Sequence, residues 1–575
     1  MKRAIAVVLA LIMVFCFFAA CGEKKATTGN EGTTQSGTQG TTQSGTSTTD
    51  PTQTQLGTGS TGLSSVEVST LEEVHPSDDA VLNVAGYLEP GGLTQPGHNF
   101  GADMNVASIF FEMLLSWDST ESTYGPWLAT SWEWIDDLTL RLHLRDDVVS
   151  IAGDPFTAND VIFTWNLNHE VASLAAYYSF FDYEKTKAVD DYTVDLVLLN
   201  PYPFLLVDLA HTAYDIAVQK SYEESPDTMY DPGSGTGPYK LIEWTQGQVV
   251  KAERRDDYYG TTPYYKYINW WTATDGNARA MGVEAGDYQF ATNATVSQVI
   301  AAESNPKLAA FYIASAGRCC NWLFNSDRDP LQYKLVRQAL ALAVDYESIL
   351  EVAASNKGVL TDHTLYSPFN PYYMKTSEGV ENYYHYDPEL AKQKLAEAGY
   401  ADGFTINCKY RSSDDMTLKN AETLQFMLRE IGVTLELMPQ DSAAWYADMR
   451  AGDWDTHLSV GGNPNAKRNI NWIDGDRLSH ATTTGNAGSR WQAEVPGGAE
   501  YVNDLIDKCE FTVDEELSKE YFQELTDLCA EYVPAVILYC PYCQVLCSAD
   551  IINCKADSMG GPLVLSFYPE EYING

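Results

Sequence analysis

Residues 138–161 contain the pattern that decides the fold class, LTLRLHLR followed after a short link by GDPFTANDV. Leucine occupies every second position of the first string, which is the alternation of a half-buried strand. Thr157 and Asp160 have the spacing of a capping box, so a helix should begin there with Val161 and Trp165 on one stripe. The stretch therefore predicts a strand followed by a helix.

Two further helix starts combine an aspartate cap with a first-turn proline, at Asp329-Pro330 and Asp387-Pro388. Gly399 suits the end of the second helix. Because strands and helices alternate along the chain, the predicted class is α/β or mixed α+β. The inward-facing residues are expected to be Leu331, Leu335, Ala339 and Leu342 in the first helix, and Ala391, Leu395 and Ala398 in the second.

Composition predicts a large, acidic globular body. The chain has 575 residues, of which 45% are hydrophobic, and it includes 36 Tyr and 13 Trp. That length exceeds a single hydrophobic core, so two or three domains are expected. The formal net charge is −43. A body this acidic repels nucleic acid and anionic lipid, so neither is expected as a partner.

The first residues have the composition of a bacterial export signal. Lys2 and Arg3 precede an apolar run that ends at Ala20, and small residues flank Cys21. The segment around Cys21 resembles the lipobox of bacterial lipoproteins, in which the thiol is lipidated and becomes the new N-terminus. Residues 1–20 are therefore predicted to be a signal peptide, with lipidation at Cys21.

Residues 21–75 are predicted to be a disordered tether. They are mostly Thr, Gly, Ser and Gln, and such a composition cannot bury enough apolar surface to fold. Roughly 45 flexible residues have a mean reach of about 35–40 Å. The globular body is then expected at the outer face of the bacterial cytoplasmic membrane, held by the lipid anchor only.

The rest of the chain lacks the common catalytic and metal-binding motifs. It contains no H-E-x-x-H and no phosphate-loop lysine, and its nine histidines have no ligand spacing. We therefore predict no enzyme activity, no cofactor and no bound metal. Cys540-Pro-Tyr-Cys543 matches the C-x-x-C pattern of redox proteins, but those motifs sit at a helix N-terminus. Here an apolar strand precedes it.

Six motifs occur in a fixed order along the chain: PWLATSWE at 126–133, GDPFTANDV at 153–161, GTGPY at 235–239, VRQAL at 336–340, a segment from YDP to AGY at 386–400, and VPAVILY at 533–539. Together they resemble family 5 extracellular solute-binding proteins, the peptide- and nickel-binding receptors of ABC importers. The resemblance covers about residues 80–560.

The resemblance implies two lobes that close over a ligand as a hinge. By analogy, lobe I comprises 76–317 and 540–575, with an extra subdomain at 106–232, and lobe II comprises 318–539. The implied function is that of a monomeric substrate-binding lipoprotein that delivers a small solute, foremost an oligopeptide, to ABC permease subunits. A receptor for an oligosaccharide or other non-peptide solute, a receptor that signals without transport, and an extracytoplasmic thiol–disulfide protein are the alternatives.

Ligand contacts are expected where the two lobes meet, because a ligand closes the hinge only by binding both. Peptide binders of this family carry an aspartate for the peptide ammonium, and the corresponding segment here, 460–465, lacks it. Glu89 and Asp441 are candidates to replace that aspartate. The candidate contacts are Tyr87 and Glu89 in lobe I, and Asn321, Trp322, Asp441, Trp445, Asn463, Asn465, Arg468 and Trp472 in lobe II.

The crossovers between the lobes are expected near 314–325 and 534–543. Each contains two cysteines, Cys319 with Cys320 and Cys540 with Cys543. One thiol from each crossover is hypothesised to lie within disulfide reach, which would stiffen or lock the hinge. Separate buried thiols are the other interpretation.

Overall fold

The computed structural model describes residues 76–94, 102–118, 123–171, 174–314, 318–362, 366–370, 372–461, 490–552 and 568–569. The predicted signal peptide, Cys21 and the whole of the predicted tether lie outside these residues. Within the described part, no helix has both the length and the apolar composition required to cross a membrane.

The strands of the described part are, in chain order, β1 Val81–Gly86, β2 Leu115–Asp118, β3 Thr123–Pro126, β4 Ala129–Asp136, β5 Thr139–Leu144, β6 Lys187–Asp190, β7 Thr193–Val197, β8 Tyr239–Thr245, β9 Val249–Arg254, β10 Tyr267–Thr272, β11 Phe290–Ala291, β12 Leu308–Ile313, β13 Cys319–Phe324, β14 Gly358–Val359, β15 Phe404–Arg411, β16 Val433–Gln440, β17 Thr456–Gly461, β18 Ala535–Pro541, β19 Cys543–Ser548, β20 Ile551–Ile552 and β21 Tyr568–Pro569.

The helices are α1 Ala102–Ala107, α2 Ala158–His169, α3 Ala175–Tyr178, α4 Leu205–Asp208, α5 Gln219–Glu224, α6 Gly276–Ala285, α7 Val296–Ala302, α8 Lys334–Leu342, α9 Tyr346–Ala354, α10 Pro388–Glu397, α11 Asp415–Leu428, α12 Ser442–Ala451, α13 Gly498–Phe511 and α14 Glu515–Tyr532. Strands and helices alternate through much of the chain, so the predicted mixed class is confirmed.

Three larger sheets organise the chain. One has seven strands in the order β12-β19-β11-β1-β10-β9-β8, and a second has six in the order β14-β18-β13-β17-β15-β16. The third has four strands in the order β4-β5-β7-β6, and its paired strands are antiparallel. Each sheet contributes to a separate cluster of buried side chains, as expected for a chain too long for one core.

The four-stranded sheet contains the strand and helix that the opening pattern predicts. Leu140 and Leu142 are fully buried in β5, while the alternate residues Thr139, Arg141 and His143 are only partly buried. At the start of α2 the Asp160 carboxylate accepts from the Thr157 backbone N–H at 2.6 Å and from its hydroxyl at 3.0 Å. Trp165 is fully buried on the inner face of this helix. Both local predictions are confirmed.

The helix expected after Asp329-Pro330 begins later, at Lys334. A side-chain contact accompanies this later start, since the buried Arg337 guanidinium donates to the Leu331 carbonyl at 2.8 Å. That carbonyl is the group that would accept from residue 335 in a helix starting at Pro330. The start at Asp387-Pro388 is confirmed, with Asp387 accepting from the Leu390 N–H at 2.9 Å.

Two chain crossings join the seven-stranded sheet to the six-stranded sheet. The chain passes from β12 to β13 and returns from β18 to β19. Strands β12 and β19 are neighbours in the first sheet, and β13 and β18 are neighbours in the second. The two crossings therefore lie side by side, which is the arrangement that a hinge between two bodies requires.

Candidate ligand-binding site

Strand direction identifies the sheet edges at which a ligand is expected. In the seven-stranded sheet β1, β10, β11 and β12 run the same way. In the six-stranded sheet β15, β16, β17 and β18 share a direction. Because β12 and β18 lead into the crossings, the carboxyl edges of both sheets adjoin these crossings. Ligands of open α/β sheets bind outside the carboxyl ends of strands, so we take the space between these two edges as the candidate site.

The edge of the seven-stranded sheet includes the predicted residues Tyr87 and Glu89, which follow β1. The Tyr87 backbone N–H donates to Thr292 Oγ1 at 3.0 Å. Glu89 accepts from Trp244 Nε1 at 3.0 Å and from Thr272 Oγ1 at 2.5 Å. Each carboxylate oxygen of Glu89 thus already bonds within its own sheet, which holds the loop in place.

A buried arginine fixes the neighbouring loops of the same edge. The Arg279 guanidinium donates to the carbonyls of Ala273, at 2.6 Å, and Thr292, at 3.1 Å. Those residues follow β10 and β11, so one side chain ties together the loops beside Tyr87. The edge is therefore rigidly built before any ligand arrives.

On the second edge, Asn321 and Asp441 have structural bonds. Asn321 is buried, and its Nδ2 donates to the carbonyl of Gly461, the last residue of β17, at 3.2 Å. Asp441 follows β16 and caps α12 by accepting from the Ala444 N–H at 3.0 Å. Both residues lie at the carboxyl edge, and Asp441 is exposed there.

The structure places the two described tryptophan candidates in hydrophobic cores. Trp322 is 0% exposed and packs edge-on against Phe324. Trp445 is 2% exposed and meets His457 in an edge-on contact. Burial lowers the pKa of His457 to about 3, so this imidazole is neutral. Neither indole is open to a sugar ring in this structure, so the stacking expected for an oligosaccharide gains no support from them.

Two arginines at the second edge were not among the predicted contacts. Arg411 is the last residue of β15, and Arg318 directly precedes β13. Within the described residues, the buried Nε of each has no hydrogen-bond acceptor. Arg318 Nη1 reaches the Cys543 sulfur at 3.5 Å, and a thiol is a weak acceptor. Arg411 Nη2 lies 3.9 Å from Asp414 Oδ2, beyond hydrogen-bond distance.

These guanidiniums leave a local excess of positive charge. Burial disfavours the charged form of Arg318, but Cys543 and Asp414 outweigh it, and the pKa of Arg318 is raised. The other Asp414 oxygen caps α11, accepting from the Met416 N–H at 3.1 Å. Two cations thus share one carboxylate in a chain of net charge −43. An arginine at the end of a predicted strand, in a chain this acidic, could have been recognised from the sequence as a candidate ligand contact.

The remaining predicted contacts, Asn463, Asn465, Arg468 and Trp472, lie outside the described residues. Within the part that is described, no group of three or more His, Cys, Asp or Glu side chains is arranged to hold a metal ion. The described residues therefore place two arginines at the carboxyl edge of one sheet, and a tyrosine and a glutamate at the carboxyl edge of the other.

The four crossover cysteines are all buried. Cys319 Sγ lies 3.1 Å from Cys540 Sγ, whereas Cys320 Sγ contacts Met416 Sδ at 3.5 Å. Cys540 and Cys543 belong to successive strands rather than to a helix N-terminus. The setting of a redox-active C-x-x-C motif is absent at these two residues.

Comparison with known proteins gives one family and one fold. Residues 123–476 match the model of the bacterial extracellular solute-binding proteins, family 5 Middle. The glutathione-binding protein GsiB of Pectobacterium atrosepticum is 28% identical over 387 residues, which cover 65% of this chain and 72% of that protein. Other matches to glutathione-binding proteins cover 66% of those proteins.

Among solved structures, NikA of Brucella suis in complex with Fe(III)-EDTA superposes with a TM-score of 0.74 at 21% identity, covering 86% of this chain and 100% of that one. The oligopeptide-binding protein AppA of Bacillus subtilis, in complex with a nonapeptide, superposes with a TM-score of 0.72 at 20% identity over the same shares. The chain therefore has the two-lobed fold of these binding proteins.

Proposed function

This chain belongs to the bacterial extracellular solute-binding proteins of family 5, which are binding proteins of ABC importers and not enzymes, and we propose that it captures a short peptide between its lobes and delivers it to a membrane permease. The lobes of this proposal are residues 76–317 with 540–575, and residues 318–539. The subdomain at 106–232 belongs to the first lobe.

The observation that carries the proposal is the pair of incompletely satisfied guanidiniums, Arg318 and Arg411, at the carboxyl edge of the six-stranded sheet. A guanidinium binds a carboxylate through two parallel hydrogen bonds. A peptide presents such a group at its C-terminus, and glutathione, the ligand named for the matched relatives, presents two. We assign the ligand carboxylate to these two arginines.

The opposite edge receives the rest of the peptide. Closure is favoured only when the ligand gains contacts with both lobes, so part of the peptide has to reach Tyr87 and Glu89. Glu89 and Asp441 supply carboxylates for the peptide ammonium, since a lone pair remains on each oxygen that already accepts one bond. Asn321 is kept as a contact. Trp322 and Trp445 pack in the hydrophobic cores behind this edge and do not contact the ligand.

The location follows from the first part of the chain. Lipidation at Cys21 holds the protein at the outer face of the membrane. Residues 21–75 act as a flexible tether whose reach allows the globular body to meet the permease. The protein acts as a monomer. These features rest on the sequence pattern at residues 1–75 and on the extracellular character of the family.

Calorimetric titration of the purified protein with glutathione, tripeptides and their C-terminal amides tests the proposal. The free acids should bind, and each amide should bind about 10–100-fold more weakly because it loses a charge-assisted contact. Native mass spectrometry of the protein as purified should find a peptide-sized cargo. Equal affinity for acids and amides, or a neutral sugar as cargo, would rule the proposal out.

A further inference from the structure

Two thiols face each other where the chain enters and leaves the six-stranded sheet. Cys319 is the first residue of β13, and Cys540 is the last but one of β18. The strands are antiparallel, with Cys320 opposite Tyr539, so the next pair of the register is Cys319 with Cys540. Their sulfurs are 3.1 Å apart. Directly opposed residues on antiparallel strands have Cα atoms about 4.5–5.5 Å apart, the separation that a disulfide spans.

We propose that Cys319 and Cys540 are a disulfide-forming pair that an oxidant of the peroxide class joins, linking β13 covalently to β18 where the chain enters and leaves the six-stranded sheet. One thiol reacts with the peroxide to give a sulfenic acid and a molecule of water. The second thiol attacks that sulfur, the S–S bond forms, and the sulfenic oxygen leaves as a second water. Together the two thiols lose two electrons and two protons, which reduce the peroxide to two molecules of water.

The contacts of the neighbouring cysteines single out this pair. Cys319 and Cys540 are 3% and 1% exposed and form one apolar cluster with Ile537, against which Val359 packs. A small neutral oxidant suits such a site better than a protein disulfide does. The adjacent thiols have other contacts, since Cys543 lies against the Arg318 guanidinium and Cys320 against a methionine sulfur.

The placement changes the effect expected of such a bond. Both cysteines lie on paired strands of the six-stranded sheet, so their bond joins two neighbouring strands of that sheet and does not tie it to the seven-stranded sheet. The residues are 221 positions apart, and the loop between them contains the other strands of that sheet. Closing so long a loop restricts the unfolded chain and stabilises the folded lobe. The bond is therefore expected to stabilise the six-stranded sheet and not to prevent hinge motion.

Peptide mapping tests whether the bond forms. The purified full-length protein is treated with hydrogen peroxide, alkylated without reduction, digested and analysed by mass spectrometry. A Cys319–Cys540 link that dithiothreitol removes is expected. Cys320→Ala should retain the link, which assigns it to Cys319 rather than to the adjacent thiol. A link between Cys540 and Cys543, or no link at all, would overturn the proposal.

Hydrogen exchange in moderate urea tests what the bond does. The same protein is compared before oxidation, after oxidation and after re-reduction, so that the main comparison needs no variant. Peptides of residues 319–540 should exchange more slowly after oxidation, and peptides of the four-stranded sheet should not change. Cys540→Ser should abolish the effect and Cys408→Ser, another buried thiol of this sheet, should leave it intact. Equal slowing of exchange in both regions, or no slowing in either, would contradict a stabilising effect confined to the six-stranded sheet.

Discussion

The guanidinium carbon of Arg411 lies 5.5 Å from the centre of the Trp445 ring. Trp445 lies in the first turn of α12. It is buried with Met449 and Trp454, so its ring is held in place next to the arginine. A cation within about 6 Å of an aromatic face is attracted to it. The tryptophan expected to touch the ligand thus acts through the arginine that we assign to the ligand carboxylate.

Replacing this support should weaken peptide binding without abolishing it. Trp445→Phe keeps an aromatic core residue but provides a weaker cation–π partner, so affinity for a peptide acid should fall about two- to fivefold. Calorimetry with the acid measures the change. Trp491→Phe, at another buried tryptophan of the second lobe, is the control and should bind normally. An equal loss in both variants would point to general loosening of the lobe.

Removing the arginine itself should cost more. Arg411→Gln loses the charge-assisted contact with the carboxylate, and affinity for the acid should fall about 10–100-fold. The same variant should bind the C-terminal amide as well as the unmodified protein does. Arg429→Gln is a matched control, because Arg429 is exposed and bonds to Gln425 at 3.1 Å. A loss of similar size for acid and amide would contradict the assigned role.

The aromatic core of the four-stranded sheet should matter for stability and not for binding. Trp165 is fully buried, with Tyr178, Phe181 and Tyr214 around it at 5.4–6.0 Å between ring centres. Trp165→Ala should lower the free energy of unfolding by about 3–5 kcal/mol, measured by urea titration. The fraction that remains folded should bind peptide with unchanged affinity.

A buried carboxylate should give stability a dependence on pH. Burial raises the pKa of Glu112, although hydrogen bonds from Tyr258, Trp127, Thr236 and Tyr259 oppose the shift. A folded pKa above the unfolded value of 4.5 means that the folded state holds its proton more strongly. This group's contribution to stability is therefore complete below pH 4.5 and is lost as pH rises through the folded pKa.

Urea titrations at a series of pH values from 4 upwards measure that contribution. Glu112→Gln should make the fall of unfolding free energy with rising pH less steep in that window. Glu133→Gln, at an exposed carboxylate of β4, should leave the slope unchanged. An unaltered slope in Glu112→Gln would show that the carboxyl is not the titrating group.

Backbone patterns predicted most elements correctly, and a side-chain contact accompanies the one helix that starts later than expected. The leucine alternation of β5 and the cap of α2 depend on neighbours within a few residues, so the sequence displays them directly. The later start of α8 is accompanied by Arg337 reaching back to a carbonyl, which spacing does not display. The six ordered motifs were specific because they occur together in one order, although each alone is a weak signal.

The candidate site was less predictable for a geometric reason. Which residues meet at a sheet edge depends on strand direction and order, and the order β14-β18-β13-β17-β15-β16 is not legible from periodicity. Arg318 and Arg411 are 93 positions apart in the chain, and only the sheet brings them to one edge. The burial of Trp322 was not legible from the sequence, because a tryptophan near a crossing points to either face of its strand with equal ease.

Small-angle scattering on the purified protein tests the central claim most directly. Addition of a saturating peptide acid should reduce the radius of gyration as the lobes close, and the C-terminal amide at the same concentration should reduce it less. Arg411→Gln should remove the difference between acid and amide. A radius of gyration that no peptide changes, or that acid and amide change equally in the unmodified protein, would contradict closure around a carboxylate.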